Sequence, residues 1–235
     1  MGRPKTGRPY AERALAEAAG VPRLEVRSLR ALGTVLTWLG DCEKAVTHHQ
    51  RTLDICRDKG LFARNAIAYH DLGDAYRMSG DGAAASEAYK QALNHANRMS
   101  LGHTMELVNV KLMMCKLTDG ETRGVVADLA VLGERALQAG LGLAVPFCAF
   151  LAAWAHAIDG HYAGYEKALA HVSDITAIAL DPQVPLIVEN IAQFLCDESK
   201  ITQAREMYEV ATTLWERQEN NNAADKCKAL ALQMA

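Results

Sequence analysis

The sequence is short of aromatic residues (6%) and has only six prolines in 235 residues. Six prolines and seventeen glycines leave little room for an all-β fold that turns about every ten residues. Charge of one sign is also missing. Lys and Arg number 25 against 28 Asp and Glu, a net charge of −3. That balance argues against nucleic acid or an acidic membrane surface as a bulk partner. The six cysteines show no C-x-x-C spacing, and the closest pair, Cys42 and Cys56, is fourteen residues apart. A zinc site or redox dithiol has no local support. A chain this rich in other apolar residues needs no disulfide scaffold. The cysteines read as small buried helix residues, and reduced thiols point to the cytoplasm. The basic start, Met1 to Pro9, precedes no apolar run of signal length and reads as a flexible tail over residues 1–8. The most apolar stretch, Leu141 to Ile158, carries His156 and is flanked by Gly140 and Asp159-Gly160. It reads as a buried helix. The phosphate-binding loops, H-E-x-x-H and G-x-S-x-G are all absent. No cofactor, no metal site and no enzymatic activity is expected.

What is present is apolar content of 50%, enough for a packed core. A period accompanies it. Gly40, Gly80, Gly120 and Gly160 stand forty residues apart, and the next place in the series falls at Ser199-Lys200. Gly33 and Gly73 repeat the interval. A fixed period between 20 and 50 residues is the mark of stacked repeats. Each unit reads as a helix, a tight turn, a second helix and a loop. In the first, Leu29, Leu32, Val35, Leu36 and Leu39 share a helical face, Gly40 breaks the helix and Asp41 is placed to cap the next. Gly33, Ala45, Gly73 and Ala85 let paired helices approach closely. Units are expected at 24–59, 63–99, 103–140, 143–180 and 184–219. A half repeat at 9–20 precedes them, and a capping helix at 221–235, begun by Asn220, follows them.

Leu72-Gly73-x-x-Tyr76-x-x-x-Gly80-Asp81, followed by Ala85, Tyr89 and Ala92, resembles the tetratricopeptide repeat family. Leu32-Gly33-x-x-Leu36-x-x-x-Gly40-Asp41, with Ala45, His49 and Thr52, follows the same pattern with substitutions. Ile191-Ala192, Leu195, Ala204, Tyr208 and Ala211 mark the fifth unit. The resemblance implies an all-α, right-handed superhelical solenoid of antiparallel helix pairs with about 11–12 helices. The forty-residue period exceeds the family's usual length, so helices or loops should be longer. By the same resemblance, a peptide or partner protein binds a concave groove lined by the first helices. The groove residues would be Arg27, Arg30, Thr34, Thr37, His70, Asp74 and Arg77, then Asn109 and Met114, then Phe147, Phe150 and Trp154. The aromatic trio also reads as core, since aromatics at helical spacing usually pack. Relatives that grip acidic chaperone C-termini carry a lysine and asparagine set; here Thr34, Asp71 and Leu107 occupy places in it, which disfavours that role.

Three histidine groups invite chemistry. His48 and His49 point about 100° apart on a helix and cannot share one metal in the way an i, i+4 pair can. His70 and Asp74 form such a pair without a third ligand. His156, Asp159 and His161 surround a turn that offers no evident cleft. The main expectation is a protein-interaction module without nucleic-acid or membrane partners, open to self-pairing through the half repeat. The alternative is the regulatory or sensor C-terminal region of a larger bacterial signalling protein: a kinase, a signalling ATPase or a transcriptional regulator.

Overall fold

The computed structural model describes residues 4–142, 144–178 and 181–234. Among them are thirteen α-helices and no strand. In order they are α1 (Pro4–Glu17), α2 (Pro22–Trp38), α3 (Cys42–Asp58), α4 (Asn65–Met78), α5 (Gly82–Arg98), α6 (Gly102–Thr118) and α7 (Val125–Gln138). Then come α8 (Ala144–Ile158), α9 (Tyr162–Leu169), α10 (Ile175–Ile178), α11 (Val184–Asp197), α12 (Ile201–Arg217) and α13 (Asn221–Gln233). The helices fall into two compact units, one ending at Cys115 and one starting at Lys116.

The helix ends explain the period. Backbone φ is positive at Gly40, Gly80, Gly120 and Gly160, and Ser199 takes over with φ 58°. A second series lies halfway between, at Gly20, Gly60, Ser100 (φ 53°) and Gly140. The forty-residue period is thus two helix-turn steps of equal length. At the steps after Gly20 a left-handed residue ends the helix, and the next amide folds back across the last turn. Asp41 N–H donates to the Leu36 carbonyl at 2.9 Å and Leu61 N–H to that of Cys56 at 2.7 Å. His161 N–H does the same to His156 at 2.8 Å. This six-to-one bond satisfies carbonyls that the helix end would otherwise orphan. Glycine suits the position because it lacks the Cβ that disfavours positive φ.

In the unit ending at Cys115, α2 packs on α3 and α4 on α5, while α1 covers α2 and α3 joins the two pairs. Val26 and Leu29 pack with Ile55 and Cys56, and Leu53 packs with Ala68, Leu72 and Ala88. Each buried Leu or Ile contributes about 1.5–3 kcal/mol. The small residues do what their positions imply. A Cβ on Gly73 would lie 2.6 Å from the Tyr89 ring, and one on Gly33 would lie 2.5 Å from the His49 ring. Glycine at these sites lets a ring of the second helix press onto the backbone of the first.

In the unit starting at Lys116, α7 packs on α8, α8 on α9 and α11, and α12 on α11 and α13. Helix α8 is the most apolar and buries Phe147, Cys148, Phe150, Leu151 and Trp154. It is a core helix. No helix of the described residues is long and apolar enough to cross a membrane.

Several details depart from expectation. Residues 4–8, read as flexible tail, are the start of α1; Met1 to Arg3 lie outside the described residues. The second helix of the fourth unit is broken into α9 and α10. Asp174 accepts from the amide and the hydroxyl of Thr176 at 2.8 and 2.7 Å, a local bond that starts a new turn instead of continuing the old one. The end of that unit, Ala179 and Leu180, lies outside the described residues, as does Leu143. Asp41 makes no capping bond; its carboxylate bonds to Lys44 at 2.9 Å instead. Asp81 does cap, accepting from Ala84 N–H at 2.9 Å, and Asn220 caps α13 through Ala223 N–H.

Candidate functional site

Positions 27, 30, 34 and 37 of α2 follow one another at helical spacing, and so do 70, 74 and 77 of α4. Helices α2 and α4 are neighbours in the first unit, so their two stripes lie side by side. Between the stripes a polar network forms. Arg30 Nε donates to Asp71 Oδ2 at 2.7 Å, and His70 Nδ1 lies 3.2 Å from Asp71 Oδ1. Asp74 Oδ1 accepts from the Tyr89 hydroxyl at 2.6 Å, from Arg77 at 3.3 Å and from Lys111 of α6 at 3.0 Å. Arg77 also donates to the Tyr89 hydroxyl at 3.3 Å.

Three cations, Arg30, Arg77 and Lys111, thus meet two carboxylates, Asp71 and Asp74. Burial alone would raise both carboxyl pKa values. At Asp71 the His70 hydrogen bond and the Arg30 charge outweigh it and hold the group below the ordinary carboxylate range. At Asp74 burial is outweighed by Lys111, His70 and Arg77 together with the Tyr89 hydrogen bond, and the pKa falls far below that range. Both carboxylates are therefore ionised at neutral pH. The same burial, followed by the Asp74 charge, drives the Tyr89 phenol well above its ordinary value, so it stays a donor. His49 occupies the place of Tyr89 one repeat earlier but has no hydrogen bond at either nitrogen, and burial lowers its pKa.

The expected groove residues divide into three groups. Arg30, His70, Asp74 and Arg77 are brought together, with His70 and Arg77 buried inside the network. Arg27 and Thr34 are exposed beside it, Asn109 is half-buried, and Thr37 is buried and donates to the Gly33 carbonyl at 3.0 Å. Met114, Phe147, Phe150 and Trp154 are core residues and offer no groove surface. Phe150 is fully buried against Phe147, with ring centroids 6.4 Å apart. A helix lined on one side by large apolar residues is recruited to the interior before it can line a wet surface.

Sequence reasoning did not assign Asp71, Tyr89 and Lys111 to the site. Tyr89 was legible only as a repeat position, and its bond to Asp74 depends on how closely α5 approaches α4. The structure also shows a groove that the sequence did not announce. Helices α3, α4 and α5 border a cavity of about 580 Å³ lined by residues that include Phe62, Asn65, Met99 and Arg98. The stacked rings of Tyr69 and His95, 5.4 Å apart, also line it.

Comparison with known proteins places this geometry. Residues 24–98 match the family model described as tetratricopeptide repeat. No curated protein matches the sequence. Among solved structures, the chain is similar to a Rap protein complexed with competence and sporulation factor. The two share 13% identity over 97% of this chain and 68% of that one, with a TM-score of 0.64. It is similar to BtubC from P. vanneervenii at 14% identity, over 100% of this chain and 91% of that one, with a TM-score of 0.54. A putative kinesin light chain with nearly identical TPR-like repeats, from Podosopora anserina, shares 17% identity over 82% and 95% of the two chains, TM-score 0.55. At these identities the likeness is one of fold, and it agrees with the helix-pair plan described above. Residues 24–98 thus carry the tetratricopeptide repeat match, and the helix-pair plan of the described residues runs on beyond them.

Proposed function

We propose that this protein is an interaction module whose first unit binds an acidic peptide segment along the face made by α2, α4 and α6. The observation that carries the reading is the network in which Arg30, Arg77 and Lys111 gather around Asp71 and Asp74. The network ties α2 and α6 to α4 beside the exposed Arg27 and Thr34. A guanidinium fork can take both oxygens of a ligand carboxylate. Repeat stacks of this kind use such a face for extended partners. The solved Rap structure holds competence and sporulation factor, which supports a peptide as the ligand class.

The test is binding of a fluorescein-labelled library of acidic peptides, read by anisotropy. Arg27→Glu should weaken the selected peptide roughly tenfold, about 1.4 kcal/mol. Lys90→Glu, an exposed change on α5, should leave affinity unaltered. Equal loss in both variants, or none in either, would remove the α2 face from the account. A second reading, a sensor region in a signalling system, draws on the same Rap likeness, which extends over 97% of this chain. It requires that the selected peptide alter the activity of a partner output protein.

A further inference from the structure

The turn between α8 and α9 carries a pair of histidines that neither the fold nor the peptide face uses. His156 stands in the last turn of α8, and His161 immediately precedes α9. Their Nδ1 atoms lie 3.4 Å apart, and the rings meet edge to face with centroids 5.2 Å apart. Two features hold them there. The His161 amide bonds back to the His156 carbonyl at 2.8 Å, closing the turn with Gly160 in the left-handed region. Asp159 is tethered by the Thr122 hydroxyl at 2.7 Å. Residue 164 must also be small. A Cβ on Gly164 would stand 2.6 Å from both Nδ1 atoms, so only glycine lets α9 run this close to the pair.

From this geometry we propose that His156 and His161 bind one divalent transition-metal ion, zinc by chemical preference, through their two Nδ1 atoms. Imidazole nitrogens hold zinc at about 2.0–2.1 Å. Nitrogens 3.4 Å apart then subtend about 110° at the ion, the tetrahedral angle. Imidazole suits Zn, Cu and Ni, and does not suit Mg or Ca. Among the described residues no third His, Cys, Asp or Glu joins the pair in a metal-holding group, so water fills the other positions. His161 is exposed and His156 half-buried, which leaves the ion an entry path. The other histidine sites lack this arrangement. His49 is fully buried, and His70 Nδ1 is already engaged by Asp71.

The competing account is an ordinary N–H···N hydrogen bond between the two rings. Isothermal titration of the full chain with ZnCl2 in a non-chelating buffer separates the two. One zinc per chain is expected. His156→Gln and His161→Gln should each weaken it by at least roughly tenfold, since loss of a supporting contact alone costs 10–100-fold. Gly164→Ala should weaken it similarly by displacing both rings, and His103→Gln, an exposed change on α6, should not. Co²⁺ should give the intense visible bands of a four-coordinate site, bands that vanish in His161→Gln. Far-UV circular dichroism establishes that each variant is folded; if Gly164→Ala is not, the two glutamine variants decide. No heat from wild type, or undiminished zinc binding in both glutamine variants, would overturn the site and leave the hydrogen bond as its explanation.

Discussion

Replacing Gly73 by Ala tests the packing argument at its tightest point. On an exposed helix face the change would stabilise by about 0.8–1 kcal/mol, because glycine is the poorer helix former. Here the new methyl would meet the Tyr89 ring at 2.6 Å. Tyr89 has nowhere to go. It is fully buried, and its hydroxyl is held between Asp74 and Arg77. Overpacking of this kind costs about 1–3 kcal/mol. Movement of the ring also weakens a hydrogen bond to a charged acceptor, a class of bond that contributes about 1.5–3 kcal/mol. The net expectation for Gly73→Ala is destabilisation of about 1–3 kcal/mol. Gly33→Ala is the internal control, since the methyl would meet the His49 ring at 2.5 Å. No hydrogen bond anchors that ring, so it can shift at lower cost and the net change should fall within about 1 kcal/mol of zero. Urea unfolding followed by far-UV circular dichroism reads both differences. A stabilised Gly73→Ala, or a Gly33→Ala that loses as much, would refute the reasoning that ring and glycine are locked as a pair.

Asp74→Ala should cost about 3 kcal/mol or more in the same assay, because it leaves the buried Arg77 and Lys111 without their shared carboxylate. His49 predicts a pH dependence. Burial lowers its folded pKa, so as pH falls below the ordinary value of about 6.5 the unfolded chain takes up the proton first. Its contribution is complete above that pH and is lost as pH falls toward the folded pKa, by at most about 1.4 kcal/mol per pH unit. His49→Phe should flatten the stability profile below about pH 6.5, and an unchanged profile would contradict the assignment. The contributions of Asp71 and Asp74 lie in a separate window: both folded pKa values are depressed, so their loss begins only below about pH 4. Asp81→Ala should lower the thermal midpoint by removing a cap that contributes about 1 kcal/mol, whereas Asp41→Ala, with no cap to lose, should have a smaller effect.

The repeat was legible because a helix end needs a left-handed residue, and glycine marks that residue in the sequence. Where Ser100, Ser199 and Glu219 take the same conformation, that mark is missing. The break in the fourth unit was hidden for a related reason. The apolar spacing of residues 161–179 fits a helix, but His171 and Val172 close α9 with turn bonds to Ala168 and Leu169, and Asp174 starts a new turn through Thr176. Exposure was legible where position along a helix decides it, as at Arg27 and Thr34. The sequence left Phe147, Phe150 and Trp154 open between groove and core, because their burial depends on which helices surround α8. Arg30 and Asp71 are 41 residues apart and meet only because α2 and α4 are neighbours. Charge pairing across elements is a product of packing, and no spacing rule within one helix reports it.

Amide hydrogen exchange on the full chain, with and without the selected acidic peptide, tests the central claim most directly. New protection should appear in α2, in α4 and in α6 up to Cys115, and should disappear in Arg27→Glu. Protection confined to α3 and α5, around the Tyr69–His95 groove, would place the partner elsewhere and contradict the assignment.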